Sequence, residues 1–457
     1  MFGKVLVANR GEIAVRVMKT LRRMGIASVA VHSDVDAGSL HVRTADESVL
    51  IGPAPVAESY LRIDRIVEAA LSTGAEAIHP GYGLLSENPE FARACAAAGL
   101  VFIGPSPESM EMMSSKIRAR ETVSEAGVPV VPGCTEPVHP GPKAFATAAA
   151  IGYPVAAKAA SGGGGKGFRV ANGPGELAAA VEGAAGEGER FFGDATVYLE
   201  RYLEDPRHVE VQIIGDTHGN MVHLFERDCS VQRRHQKLVE EAPCPLLTDA
   251  QRTRLGEIAV RAARAADYFS LGTVEGLLAG DDFYFLEMNT RVQVEHPVTE
   301  LVTGLDLVEE QIRVAAGEPL GFAQPGVRIT GHAIECRINA ESAAKGFRPG
   351  PGRIERFAAP SGDQVRVDTG VAEGDAVPPY YDPLIAKVIT WGEDRAAAAA
   401  AMRKALDETV VEGIPTLLPF HRALLASEEW ERAGTCRDLV ADRAWLKSTD
   451  DWADRRE

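Results

Sequence analysis

Cysteine is scarce and scattered. Cys95, Cys134, Cys229, Cys244, Cys336 and Cys436 include no C-x-x-C pair and no dense framework, which excludes a zinc ribbon or a disulfide-stapled small domain. That usage suits a reducing compartment, and a cytoplasmic location is expected. No run of 18 uncharged apolar residues occurs, and the start Met1 to Arg10 has only a four-residue apolar run before a charge, so neither a membrane span nor an export signal is expected. Positive charge is in deficit, 48 Lys and Arg against 65 Asp and Glu, and the net charge of -17 argues against nonspecific binding to nucleic acid or anionic membrane. Any anionic substrate must therefore be met by locally placed cations. The dinucleotide signature G-x-G-x-x-G is also missing, so the turn Asn9-Arg-Gly-Glu12 is read as scaffold.

What is present is enough chain, 457 residues, for about three domains. Lys4 to Ala8, Ser28 to His32, Ala77 to His79 and Leu100 to Ile103 read as strands with helical stretches between them, the first helix running from Ile13 to Met24. Such alternation implies a parallel α/β unit. The Pro/Gly cluster from Pro137 to Pro142 suggests a boundary. A small α+β insert follows, with strands Pro154 to Lys158, Phe168 to Ala171 and Thr196 to Glu200 and a helix near Gly175 to Ala185. Strands dominate from Val209 to Glu295, apart from a helix near Asp249 to Tyr268. Strands at Gly331 to Ile338 and Leu384 to Trp391 precede an alanine-rich helix from Arg395 to about Thr409.

The segment Phe285 to Glu300 alternates with a period of two. Glu287, Asn289, Arg291, Gln293 and Glu295 share one parity, and Leu286, Met288, Val292 and Val294 the other. A surface strand alternates too, but usually with Thr, Lys and Ser in place of two carboxylates, a guanidinium and two amides. A straight strand would separate Glu287 from Glu295 by roughly 26 Å, too far for one small substrate. The chain is therefore expected to turn between Asn289 and Glu295, or else to serve two subsites.

Upstream, Thr273 to Glu287 reads as a hairpin. A three-residue loop Gly280-Asp-Asp282 would pair Ala279 with Phe283 and set Glu275 opposite Glu287 on one face, whereas a two- or four-residue loop would put them on opposite faces. Two carboxylates so placed repel, and a divalent cation would relieve them; hard oxygen ligands with Asn289 beside them favour Mg²⁺ or Mn²⁺. Solvated surface carboxylates are the alternative.

Ser161-Gly-Gly-Gly-Gly-Lys-Gly167 sits between two expected strands, a hairpin tip and not a Walker loop, which needs Ser or Thr at position 167 and a following helix. Its N–H groups can converge on phosphate oxygens, with Lys158 and Lys166 adding charge, or it is simply a flexible tip. Glu226 to Pro243 packs Arg227, Arg233, Arg234, His235 and Lys237 into an acidic chain, as an anion site or as a salt-bridged surface run. His79-Pro-Gly-Tyr-Gly-Leu-Leu-Ser-Glu-Asn88 follows a strand, where α/β folds bind ligands, and Tyr82 between two glycines is either held up for contact or packed in an ordinary turn.

Together these motifs resemble the biotin carboxylase family of ATP-grasp enzymes, in the family's order: HPGYGLLSEN at 79, AASGGGGKG at 159, ERDCSVQRRHQKLVEEAP at 226, EMNTRVQVEHPVTE at 287, GHAIECRINAE at 331 and PPYYDPLIAK at 378. The resemblance implies an α/β ATP-grasp fold in three parts: an N-terminal Rossmann-like domain (1–112), an ATP-grasp domain (113–330) with a mobile glycine-loop lid (about 132–203), and a C-terminal mixed α/β domain (331–447). It implies ATP contacts at Lys116, Lys158, the loop glycines Gly163, Gly164 and Gly165, His208, Gln232 and His235, with Glu200 and Leu203 at an adenine hinge. Two Mg²⁺ or Mn²⁺ sites fall on Glu275, Glu287 and Asn289, and bicarbonate falls to Lys237, Arg291, Gln293 and the Val294 backbone. Glu295 is the general base, while Arg337 and Tyr82 belong to the biotin region.

The implied reaction is ATP-dependent carboxylation of biotin by bicarbonate through carboxyphosphate. Another ATP-grasp carboxylate-amine ligase would not need Arg291, Gln293, Glu295 and Lys237 together, and a noncatalytic nucleotide-binding regulator would be expected to lose base or metal ligands. Without a Met-Lys-Met context, a separate biotin carrier protein and a separate carboxyltransferase are the expected partners, in an acetyl- or propionyl-CoA-type carboxylase. A homodimer is expected from the family. Departures are Arg437, where an aliphatic adenine contact is common, Gly276, where Phe is frequent and packing is expected to loosen, and Phe168, where Met is usual.

Overall fold

The structure is a computed structural model that describes residues 1–134, 136–161 and 166–450. The strands β1 (Lys4–Val7), β2 (Ala27–Ser33), β3 (Glu47–Gly52), β4 (Ala77–His79) and β5 (Val101–Phe102) form one parallel sheet in the order β3-β2-β1-β4-β5. Helix α1 (Gly11–Arg23) buries Ile13, Val17 and Leu21, the spacing that marks one helical face, and its Arg22 and Arg23 complement the carboxyl end of the dipole. Strand order reverses between β1 and β4, and the crevice beyond their carboxyl ends is where such sheets bind ligands. Asn9 closes that end by donating from Nδ2 to the carbonyls of Pro80 (2.7 Å) and Tyr82 (2.8 Å). Gly81 is required there, since φ is +64° and a Cβ would lie 2.8 Å from Asn9 Nδ2.

Three antiparallel strands, β6 (Val155–Ala159), β7 (Phe168–Ala171) and β8 (Val197–Arg201), form a small sheet in the order β7-β6-β8, so the glycine segment does connect a hairpin. The helix Pro174–Phe192 covers it and runs past the expected end at Ala185. Gly188 permits this, because a Cβ would lie 2.4 Å from Asp194 O and 3.0 Å from Ala159 Cβ. A helix at Pro142–Ile151 occupies what reads as punctuation; Pro142 at its first turn starts the helix, where its missing N–H costs nothing.

The largest sheet has eight strands. β9 (Arg207–Gly215), β10 (Met221–Arg233), β11 (Gln236–Ala242), β12 (Ser270–Ala279), β13 (Asp282–Asn289) and β14 (His332–Asn339) join the strands Leu384–Gly392 and Val365–Thr369, and all pairs are antiparallel. Its order is β13-β12-β9-β10-β11-β14, then Leu384–Gly392 and Val365–Thr369. Pairing of β11 with β14 carries this sheet across residues 330 and 331, a continuity that no local pattern in the sequence announces. Helix Asp249–Ala265, started by a Thr248/Gln251 capping box, packs Leu255, Ile258 and Ala262 into the core beneath β9 and β12.

Candidate functional site

A cavity of about 600 Å³ lies between the small sheet and the large one, and every described residue that the resemblance assigns to the site lines it except Tyr82. Gly163, Gly164 and Gly165 lie outside the described residues. Register explains the convergence. Across β10, β9, β12 and β13, Arg227 stands opposite Glu210, Glu210 opposite Glu275, and Glu275 opposite Glu287. Directly opposed residues share a sheet face, so three carboxylates form one row.

The hairpin reaches this row by an unexpected route. Its loop has two residues, with Ala279 opposite Asp282, and not three with Ala279 opposite Phe283. Such a loop alone would send Glu275 and Glu287 to opposite faces. The register shift between Glu275 and Gly276 makes Leu286 an extra residue on β13, a bulge that restores the pairing. Gly276 does not loosen the packing, because the buried Phe283 ring fills the space beside it, with Cζ 2.1 Å from where a Cβ would stand.

Strand β13 ends at Asn289 and a helix begins at His296, so the turn expected between Asn289 and Glu295 is there. It folds Gln293 back until Nε2 donates to Glu275 Oε1 at 2.5 Å, and Asn289 Nδ2 donates to the same oxygen at 2.7 Å. Arg291 leaves this row: Nε donates to Glu87 at 3.0 Å and Nη2 to Asn289 Oδ1 at 2.9 Å. Glu87 also accepts from Thr290 N at 2.9 Å, and so the His79–Asn88 motif meets the site through Glu87.

Lys237 is the hub. Its Nζ donates to Glu295 Oε1 (2.6 Å), to Glu275 Oε1 (2.9 Å) and to Glu210 Oε2. Burial pulls the ammonium down, but these three carboxylates outweigh it and hold Lys237 well above its usual range. Burial likewise pushes Glu275 up, yet Lys237 and His208, whose Nε2 lies 2.9 Å from Oε2, bring it well below the ordinary carboxylate value. For Glu295 burial opposes Lys237 and Arg337, and the net shift is again downward. Both acids are therefore ionised near neutrality. Arg337 Nη2 reaches Glu295 Oε2 at 3.0 Å.

Elsewhere in the cavity, Lys116 stands 3.5 Å from Glu287, and Lys158 and Arg120 both pair with the buried Glu200. Arg437 also lines the cavity, half exposed, 3.3 Å from Asp205. Tyr82 is half-buried and its hydroxyl donates to Glu12, which holds the ring away from the cavity.

Glu210 was missed by sequence reasoning, as was the structural weight of Arg227. Arg227 is fully buried and donates to Glu210 (2.6 Å), Gln212 (2.7 Å), Thr299 (2.9 Å) and Gln293 (2.5 Å), so the two ends of the charge run, Arg227 and Lys237, belong to a buried network, while Arg234 and His235 between them are exposed. The available signal was the alternation of His208, Glu210 and Gln212 with Val209, Val211 and Ile213, the same pattern that marks residues 287 to 295.

The description "Biotin carboxylase, N-terminal domain" matches residues 1–110, "Carbamoyl-phosphate synthase L chain, ATP binding domain" residues 115–323, and "Biotin carboxylase C-terminal domain" residues 335–442. A biotin carboxylase from Halalkalibacterium halodurans is 52% identical over 98% of this chain and 99% of its own. The chain belongs to the biotin carboxylase family. Another relative, a pyruvate carboxylase subunit from Methanothermobacter thermautotrophicus, is 51% identical over 94% of this chain and 88% of its own length. Among solved structures, the biotin carboxylase domain dimer of Hydrogenobacter thermophilus 2-oxoglutarate carboxylase, in complex with MgADP, ADP and bicarbonate, superposes with a TM-score of 0.92. It is 45% identical and covers 97% of this chain and 99% of that one.

As in the family reading, the donor set suits a hard divalent cation. Glu275 and Glu287 are adjacent carboxylates and Glu275 is held ionised; Asn289 stands beside them with its Nδ2 on Glu275 and its Oδ1 on Arg291, so its amide would turn to offer the oxygen to a cation. Among the described residues no helix is long and apolar enough to cross a membrane.

Proposed function

We propose that this biotin carboxylase family member uses ATP and bicarbonate to carboxylate biotin, the first half-reaction of an acetyl- or propionyl-CoA-type carboxylase. The observation that carries the reading is the Lys237 ammonium, which joins the carboxylate row at Glu275 directly to Glu295, so that phosphoryl transfer and proton removal meet at one hub.

Lys116, Lys158, His208, Gln232 and His235 would hold the ATP phosphates and ribose, with Glu200 and Leu203 at the adenine; the calls at Gly163, Gly164 and Gly165 lie outside the described residues. A bound Mg²⁺ or Mn²⁺ at Glu275, Glu287 and Asn289 would offset charge on the transferring phosphoryl group. Arg291, Gln293, Lys237 and the Val294 backbone would orient bicarbonate. Glu295 takes the O–H proton as the bicarbonate oxygen attacks the γ-phosphorus and ADP leaves, giving carboxyphosphate. That anhydride is labile in water, so closure over the cavity protects it. Carboxyphosphate breaks to CO₂ and phosphate, the phosphate takes the ureido N–H proton, and the biotin nitrogen bonds to CO₂ while Arg337 stabilises the enolate; Tyr82 would belong to the biotin region.

The same reading divides the chain at 1–112, 113–330 and 331–447. Its partners are a biotin carrier protein, a carboxyltransferase and a second copy of the chain; the dimeric Hydrogenobacter neighbour supports the last. Six free thiols support a cytoplasmic setting. The test is steady-state ADP release with Mg²⁺, with and without bicarbonate and free biotin. Release should depend on bicarbonate and rise with biotin; indifference to bicarbonate would remove the assignment.

A further inference from the structure

A second charged stripe crosses the far end of the large sheet. Glu240 on β11 stands opposite Glu335 on β14, Arg337 on β14 opposite Lys387, and Lys387 opposite Asp368. Period two puts Glu335 and Arg337 on the same face. All of these except Arg337 are buried, and Arg337 is nearly so. Lys387 Nζ donates to Val294 O at 2.7 Å and lies 3.2 Å from Glu12, which ties the stripe to the turn that carries Glu295.

Two carboxylates compete for one guanidinium here. Glu240 Oε1 takes Arg337 Nε at 2.6 Å and lies 2.6 Å from Nη2, while Glu295 Oε2 takes the same Nη2 at 3.0 Å. Nη1 has no partner among the described residues. Glu240 Oε2 and both oxygens of Glu335 are buried without a protein partner. A charged carboxylate so enclosed would be costly. Burial, with Glu240 beside it, pushes Glu335 well above the carboxylate range, and burial raises Glu240 to about 7 against the pull of Arg337.

We propose that Glu240 is a positioning residue for Arg337: by occupying the Nε edge of the guanidinium, it prevents Arg337 from pairing with Glu295 through both of its forks. This rests on the function proposed above. The consequence is chemical. A guanidinium prefers the bidentate carboxylate geometry, and without Glu240 the carboxylate already in contact to supply it is Glu295. Arg337 would then cover the base and withdraw Nη1 from the cavity.

The experiment compares Glu240→Leu, which has no acceptor for the Nε edge, with Glu295→Gln, the double variant and Glu335→Gln, each in steady-state ADP release and free-biotin carboxylation, alongside wild type. Glu240→Leu should lower kcat about ten- to hundredfold while the KM for ATP stays within about twofold. The double variant should be no slower than Glu295→Gln alone, because the loss acts through Glu295. Glu335→Gln, which leaves the Nε edge occupied, should keep wild-type turnover. Unchanged turnover in Glu240→Leu, additive losses in the double variant, or an equal loss in Glu335→Gln would each overturn the proposal. If Glu240→Leu does not fold, Glu240→Asp, whose carboxylate is retracted from the Nε edge, is measured instead and should show the same selective loss of kcat. Bicarbonate-dependent release by the wild type tests the underlying function separately.

Discussion

Replacing Glu295 with Gln removes one negative charge and keeps the side-chain volume. Glu295 is 2% exposed and accepts from Lys237 at 2.6 Å through one oxygen and from Arg337 at 3.0 Å through the other. An amide can accept through only one of these positions and must point its NH₂ at a cation through the other. Leaving one buried donor without its acceptor costs about 1–3 kcal/mol locally. The larger effect is catalytic: a positioned general base contributes about 10²- to 10⁴-fold, equivalent to roughly 3–5 kcal/mol of barrier. The assay is initial-rate ADP release with Mg²⁺ across bicarbonate and ATP concentrations, with the thermal midpoint of each protein recorded. The variant should lose two to four decades of kcat, while its KM for ATP stays within about threefold, because Glu295 faces the anion turn and not Lys116, Lys158 or Glu200. A variant that keeps more than about a tenth of wild-type kcat would refute Glu295 as the base, since no acid–base residue of that importance is dispensable.

Gly276→Ala places a methyl 2.1 Å from Phe283 Cζ and 2.7 Å from Tyr284 O, and should cost about 1–3 kcal/mol, read as a lower urea midpoint. An unchanged midpoint would mean that the bulge beside Glu275 yields freely. Burial holds His41 and His421 neutral, pushing both down to about 4 from an ordinary value of 6.5. The unfolded chain takes up these protons first as pH falls, so their stabilisation, about 3 kcal/mol each at most, is complete above pH 6.5 and lost towards pH 4. Thermal midpoints that stay level from pH 7 to pH 4.5 would contradict this sign.

Legibility in the sequence followed the range of the interaction. The strands β1, β2 and β4 and helix α1 were readable because apolar period and turn residues are local signals, and the β6–β7 hairpin was readable because its strands flank their own glycines. Helix Pro142–Ile151 was hidden by its own proline, which serves equally well as a breaker or as a first-turn residue. Glu210 was hidden because its importance lies in standing opposite Glu275, 65 residues away along the chain, and register between distant strands has no local signature. The pairing of Glu275 with Glu287 was anticipated through a loop that does not exist, and Leu286 supplied the compensating residue. Tyr82 shows the reverse failure: flanking glycines signal backbone freedom, but Glu12, from another element, decides where the ring goes.

The buried charges around Lys237 also resolve a conflict in the chemistry of the base. Glu210, Glu275 and Glu295 surround a single ammonium in a nearly dry site, and apolar residues of similar volume would stabilise such a core as well or better. A depressed proton affinity keeps Glu295 ionised, but it also makes Glu295 a weak base when no substrate anion is near. The same cations that depress it are those an entering anion must use. On the proposed function, bicarbonate drawing on Lys237 and Arg337 would weaken their hold on Glu295 and add a negative charge beside it, and both changes would raise the proton affinity of Glu295. A base so placed would strengthen as its substrate arrives. This requires the turn between Asn289 and Glu295, because only a folded chain brings Gln293 and Glu295 back to the row that Glu275 and Glu287 begin.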